Sequence, residues 1–136
     1  MKRGAWIICG GRHYSKADRV FQILDAAVER LGLAFLIEGG CESGADKLAR
    51  EWREARGVPG KSFPANWRDV SSPHALIRED RFGRRYNVLA GPWRNRQMID
   101  EGAPEGVIAF RGGDGTHDML ARAERAEIRT IRIDWE

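Results

Sequence analysis

Several features are scarce in this chain of 136 residues. No apolar run approaches the ~20 residues that a membrane-spanning helix requires, so the sequence offers no helical membrane segment. There are two cysteines, Cys9 and Cys41, and three scattered histidines, His13, His74 and His117. None falls at metal-ligand spacing, and neither a metal nor a cofactor is expected. Cys9 reads as a small buried apolar residue; Cys41 lies in a glycine loop, and neither receives a catalytic role. The opening Met1-Lys2-Arg3-Gly4-Ala5-Trp6 enters a strand without the apolar core and cleavage site of a secretion signal, and a cytoplasmic location is expected. Low-complexity stretches are missing as well.

Glycine, by contrast, is plentiful and organised. Three apolar, strand-like runs end in a glycine-rich turn that opens into a helical pattern: Ile7-Ile8-Cys9-Gly10-Gly11-Arg12, Leu36-Ile37-Glu38-Gly39-Gly40-Cys41 and Ile108-Ala109-Phe110-Arg111-Gly112-Gly113-Asp114-Gly115-Thr116. Such turns let backbone N–H groups approach a ligand, and the helix that follows directs its positive end at the same spot. Three copies in a chain sized for one domain, 1–136, predict a shared anion-binding pocket rimmed by several turns.

Charge is uneven. The chain carries a net +3, yet Arg78 to Arg96 holds six arginines against Glu79 and Asp80, a surplus of four. A solvated basic face, an anionic ligand or a nucleic acid would each account for this cluster.

Apolar periodicity predicts a strand near Ala5–Cys9, then a helix opened by a capping box at Ser15-Lys16-Ala17-Asp18 with Val20, Phe21, Leu24, Val28 and Leu31 on its core face. A second strand over Leu33–Ile37 leads to a helix opened by Ser43-Gly44-Ala45-Asp46, with Ala45, Leu48, Ala49, Trp52 and Ala55 inward. A short edge strand is expected around Lys61–Phe63. Residues 65–90 form a looser, basic segment, too long for a bare connection unless functional or mobile. Within it Ser72-Pro73 and Gly83 predict the start and stop of a short helix. Gly91-Pro92 begins a further helix with Met98 and Ile99 inward. Val107–Phe110, Thr116–Glu127 and Thr130–Ile133 complete a strand, a helix and a strand, with Met119, Leu120, Ala123 and Ala126 on the helix's core face. This alternation predicts a Rossmann-like three-layer α/β/α domain with a mainly parallel five-stranded sheet and right-handed crossovers. Ligands bind such sheets beyond the carboxyl ends of the strands.

Three pieces together resemble the SLOG superfamily, closest to its small YpsA-related branch: Gly10-Gly11-Arg12, Glu38-Gly39-Gly40-Cys41-Glu42-Ser43-Gly44-Ala45-Asp46, and Ala90-Gly91-Pro92-Trp93-Arg94-Asn95-Arg96-Gln97-Met98 followed by Gly112-Gly113-Asp114-Gly115-Thr116. The resemblance spans nearly the whole chain. It implies a Rossmannoid fold, a nucleotide or nucleotide-derived ligand, and self-association. The superfamily also contains the Lonely Guy phosphoribohydrolases, which cleave the N-glycosidic bond of nucleoside monophosphates, and the DNA-processing protein DprA. Against the hydrolases' Arg-Lys-x-x-Met segment, Arg94 and Met98 match and Asn95 replaces lysine. Against their Pro-Gly-Gly-x-Gly-Thr-x-x-Glu motif, Arg111 stands at the proline and Met119 at the glutamate. A thioether cannot do a carboxylate's work. Asp118 stands one residue earlier, about 100° around the helix.

The candidate ligand residues follow. Gly112, Gly113, Gly115 and Thr116 suit a phosphate, or else form a tight turn with Thr116 as cap. Gly39, Gly40, Gly44 and Ala45 pose the same choice. Asp46 reads either as a ligand-hydroxyl acceptor or as the partner of Ser43 in the capping box. Gly10, Gly11 and Arg12 follow the first strand, which this topology makes central; Arg12 either reaches an anion or is merely exposed. Ser15 reads as a cap. Arg94 is a phosphate clamp by the motif match, and Asn95 offers a donor and an acceptor to a ribose or base. Trp67, Trp93, Phe82 and Tyr86 either stack on a base or pin the loose segment to the core. Trp6, Trp52 and Trp135 read as structural. The leading expectation is a nucleotide-ligand sensor or binding domain. The alternatives are a nucleotide N-glycosidase or transferase using Arg94 and Asp118, and single-stranded nucleic-acid binding through Arg78–Arg96, including Arg84 and Arg85.

Overall fold

The structure is a computed structural model that describes residues 1–135. Period-two alternation along β1 (Lys2–Cys9) defines the layers. Ala5, Ile7 and Cys9 join one apolar cluster, while Trp6 and Ile8 join the other. The strand β6 (Pro104–Phe110) splits in the same way, with Val107 and Ala109 on the first face and Ile108 and Phe110 on the second. Burial on both faces explains why these strands read as continuous apolar runs.

The helices α1 (Ala17–Leu31) and α2 (Gly44–Arg56) cover the Trp6 face through Val20, Leu24, Ala27, Ala45, Ala49 and Trp52. The opposite face is covered by α3 (Ala90–Gly102) and α4 (Asp114–Arg125) through Met98, Met119, Leu120 and Ala123. Adding β2 (Phe35–Glu38), β3 (Gly60–Ser62) and β7 (Arg129–Ile133), the sheet runs β3-β2-β1-β6-β7, parallel throughout. This is the Rossmann-like three-layer arrangement that the alternation predicts. The chain leaves central β1 toward β2 and later returns beside it with β6. The order therefore reverses between β1 and β6, and a crevice opens at their carboxyl ends.

Several local readings are corrected. The short helix expected between Ser72 and Gly83 is instead a hairpin, β4 (Ile77–Glu79) and β5 (Arg85–Asn87), paired antiparallel outside the main sheet. Its turn is organised by Asp80, whose Oδ1 accepts N–H bonds from Phe82 at 2.8 Å and Arg84 at 2.9 Å, with Gly83 at φ +77°. This local bonding of an aspartate competes successfully with helix formation. Ser72 makes only a turn, its hydroxyl accepting from His74 N–H. Neither capping box forms. The first helix starts after Lys16, without a side-chain cap, and Ser43 donates its hydroxyl to the Arg12 carbonyl at 2.9 Å. Thr116 is not a cap either, because Gly113 holds that position and Thr116 lies inside α4, buried. Val28, Ala55 and Ala126, assigned to core faces, are exposed; Ala27 takes the inward place in α1. Among the described residues, no helix is long and apolar enough to cross a membrane.

Candidate functional site

All three glycine turns stand at the carboxyl edge of the sheet, and they touch. Gly11 is the hub. Its N–H donates to Arg111 O of the third turn at 3.0 Å, and its carbonyl accepts the Ala45 N–H, beyond the second turn, at 3.1 Å. The backbones approach so closely that a Cβ on Gly10 would come within 2.6 Å of the Ala45 Cβ, and one on Gly112 within 2.7 Å of the Gly11 nitrogen. Glycine is needed at these positions for contact between turns.

The turns differ in which amides they leave open. In the second, Gly40 N–H donates to Glu38 Oε1 at 2.6 Å and Cys41 N–H to Asp46 Oδ2 at 3.2 Å. With Ala45 N–H also engaged, this loop is held by its own protein acceptors. The third turn is different: among the described residues, no acceptor takes the amides of Gly112, Gly113, Asp114, Gly115 or Thr116, and no side chain caps α4. The Thr116 hydroxyl, beside Gly112, likewise has no hydrogen bond among the described residues. A row of unclaimed N–H groups at a helix start is the arrangement that receives an anion.

The second turn rests on an ionic cluster. Glu38 is fully buried at the end of β2, where Arg50 Nη1 donates to its Oε1 at 2.8 Å and the Ser62 hydroxyl donates to its Oε2. Arg50 also donates to the Cys41 carbonyl at 2.6 Å. The sequence signal for this role is a lone charge closing the apolar run Leu36-Ile37, which nothing in the motif separates from a surface glutamate. Asp46, 9% exposed, and Arg94 flank Gly39: a Cβ there would lie 2.9 Å from Asp46 Oδ2 and 2.5 Å from Arg94 Nη1. Arg94 donates to the carbonyls of Gly39 and Phe63, tying α3 to the second turn.

Burial is the largest influence on Asp46, pushing its carboxyl up to about 6; the Cys41 N–H opposes this, Glu38 adds to it, and Arg94 and Arg50 oppose it. The folded value lies above the ordinary 3.8, so the folded chain holds this proton more tightly than the unfolded one. The stabilisation is complete below about pH 4 and disappears as pH rises through about 6. Asp46→Asn keeps an acceptor for Cys41 without the charge. It should gain up to roughly 3 kcal/mol relative to wild type between about pH 4 and pH 7, read from urea unfolding at the two pH values. Burial likewise pushes the Cys9 thiol up, consistent with an inert core cysteine.

The remaining predicted residues divide. Arg12 is exposed and lies over the Trp67 ring, 5.6 Å from its centroid, and Trp67 in turn covers Gly91 at the start of α3. Asn95 is buried and fully engaged: its Nδ2 donates to Gly115 O at 3.1 Å and Asp118 Oδ2 at 3.0 Å, while its Oδ1 accepts from Arg94 Nε at 3.0 Å. It positions Arg94 and the third turn. Asp118 also accepts from Arg122 Nε at 2.8 Å, one turn along α4, so the carboxylate that Asn95 ties to α3 is held within its own helix. Met119, at the glutamate position of the hydrolase motif, is 1% exposed in the core. On the hairpin, Phe82 is 69% exposed between Arg81 and Arg84, with Asp80 pairing Arg84 and Arg68.

The fold and this edge define a Rossmann-like domain whose strand-end turns interlock around an open, amide-lined helix start. Residues 7–69 match the model of the YAcAr family, described as the YspA, cpYpsA-related SLOG family. That stretch, which holds the first two turns, is similar to the YpsA-related branch of the SLOG superfamily. Arg94 and the third turn lie beyond it. A comparison with curated proteins gives no match.

Proposed function

We propose that this chain is a binding or sensing domain for a phosphorylated, nucleotide-derived ligand, with a phosphate seated on the amides of Gly112–Thr116. The observation that carries the reading is the set of main-chain N–H groups at the start of α4 that no acceptor among the described residues claims. Charge-assisted hydrogen bonds of about 1.5–3 kcal/mol each outweigh the helix dipole, about 0.3–1 kcal/mol, so two or three such bonds dominate the affinity. Arg12, exposed beside the first turn, supplies a counter-charge. The match of residues 7–69 to a SLOG family model supports a nucleotide-related ligand. A cytoplasmic setting agrees with the two free cysteines, Cys9 and Cys41.

The test is isothermal titration against ADP-ribose, NAD, cyclic nucleotides and nucleoside monophosphates, on wild type and Gly113→Asp. A Cβ at Gly113 meets nothing within 4 Å, so the new carboxylate can occupy the helix start without a clash. Its own oxygens then cap the amides. The melting temperature should hold or rise slightly, by a few tenths of a kcal/mol in stability, while affinity falls at least tenfold. Undiminished affinity in this variant, or a folded wild type that binds none of these compounds, overturns the reading.

A further inference from the structure

A cleft of about 180 Å³ opens beside Arg94, where the segment 64–87 folds against α3. Asn66, Asp69, Asn87, Trp93 and Gln97 line it together with Arg94. A larger cleft, about 280 Å³, separates α3 from α4, but its charged lining is already engaged, Arg96 with Asp100 across the wall and Arg122 with Asp118 beyond it.

Asn87 makes the smaller cleft unusual. It is completely buried, and its Oδ1 accepts two backbone N–H groups, from Leu76 at 3.2 Å and Leu89 at 3.0 Å. Those two bonds fix which end of the carboxamide is oxygen. The Nδ2 donor, at the other end, is buried with no acceptor. A buried, unpaired donor costs free energy in the unliganded protein, and natural structures carry few of them. Around it stand an indole, two further amides, and the Asp69 carboxylate, which turns Oδ1 to the Ser71 hydroxyl at 2.9 Å and leaves Oδ2 without a hydrogen-bond partner among the described residues.

We infer that this cleft reads the base of the ligand: Asn87 Nδ2 donates to a ring nitrogen or carbonyl of a nucleobase, Asp69 accepts from a neighbouring ring N–H or amino group, and Trp93 covers the heterocycle. The assignment rests on the phosphorylated-ligand reading above. The cleft suits a single ring system rather than a whole nucleotide, and Arg94 connects it to the second turn through Gly39. The rest of the ligand therefore extends past Arg94 toward the glycine edge.

Asn87→Asp tests the idea, because it keeps the acceptor for Leu76 and Leu89 and removes the donor. Titrations of wild type and variant use AMP, GMP, CMP, UMP and ribose 5-phosphate. At least one nucleoside monophosphate should bind wild type tenfold or more tighter than ribose 5-phosphate, and the variant should lose that advantage while holding ribose 5-phosphate as before. If ribose 5-phosphate binds wild type as tightly as every nucleotide, or the variant keeps the advantage, the base subsite falls and the phosphate site stands. If none of the five binds, the base subsite falls, and titration of ADP-ribose, NAD and cyclic nucleotides decides whether the phosphate site falls with it. Should the variant not fold, the wild-type Asn87 side-chain amide resonances decide: they shift with the preferred nucleotide and not with ribose 5-phosphate if Asn87 reads the base, and an unmoved signal refutes it.

Discussion

Gly44→Ala should destabilise the protein by about 2–5 kcal/mol, a large part of the ~5–15 kcal/mol that holds a domain of this size together. Gly44 has φ +70°, and a Cβ there would fall onto the Gly11 carbonyl oxygen and lie 2.7 Å from the Arg12 Cα. Two costs add: about 1–2 kcal/mol for a left-handed backbone with a side chain, and about 1–3 kcal/mol for forcing apart packed main chain. Gly57→Ala separates them. Gly57 has nearly the same φ, +67°, and a Cβ there would meet nothing within 4 Å, so only the first cost applies. Urea unfolding of both variants should show Gly44→Ala losing clearly more. Equal losses would mean that the first and second turns are not held in contact in solution. Because Gly11 joins all three turns, Gly44→Ala should also weaken ligand binding, which Gly57→Ala leaves intact.

The second large effect concerns the buried carboxylate. Arg50→Met removes the cation 2.8 Å from Glu38, and Glu38 has no exposure to water. Breaking a buried pair from one side costs about 3–5 kcal/mol. Here the lower end is expected, since the Gly40 N–H and the Ser62 hydroxyl still donate to Glu38 and Arg50 is itself partly exposed. Adding Glu38→Met should recover much of the loss, because it is the orphaned charge rather than the missing attraction that destabilises. Chemical denaturation of the two single variants and the double variant measures this coupling. A double variant as unstable as the sum of the singles would refute it. The Arg50 bond to the Cys41 carbonyl is lost in Arg50→Met and in the double variant, so the loop after β2 should exchange its amide hydrogens faster in those two.

How much of this is legible in the sequence depends on range. The parallel sheet, its central first strand and the gathering of three turns at one edge follow from apolar runs closed by glycines, a local pattern that tertiary packing reinforces. Helix starts mislead because Ser43 and Asp46 carry capping chemistry that the fold uses elsewhere, on Arg12 O and Cys41 N–H. The hairpin misleads because Ser72-Pro73 and Gly83 mark turns as readily as helix ends, and the bonds from Asp80 decide the matter. Asn95 suggests a ligand contact on residue type alone; only the fold reveals that Arg94, Gly115 and Asp118 already occupy it. Asn87 sits in a segment without periodicity, and an unpaired donor leaves no trace in a sequence.

The hairpin β4–β5 shares no ladder with the main sheet. The excursion between β3 and α3 can thus be lengthened, trimmed or exchanged without shifting any strand register on which the interlocked turns depend. If the base subsite proposed above holds, grip and discrimination divide between stretches of polypeptide, and a change of ligand preference calls for rewriting this excursion and the face of α3 it packs on, while the interlocked turns are inherited whole.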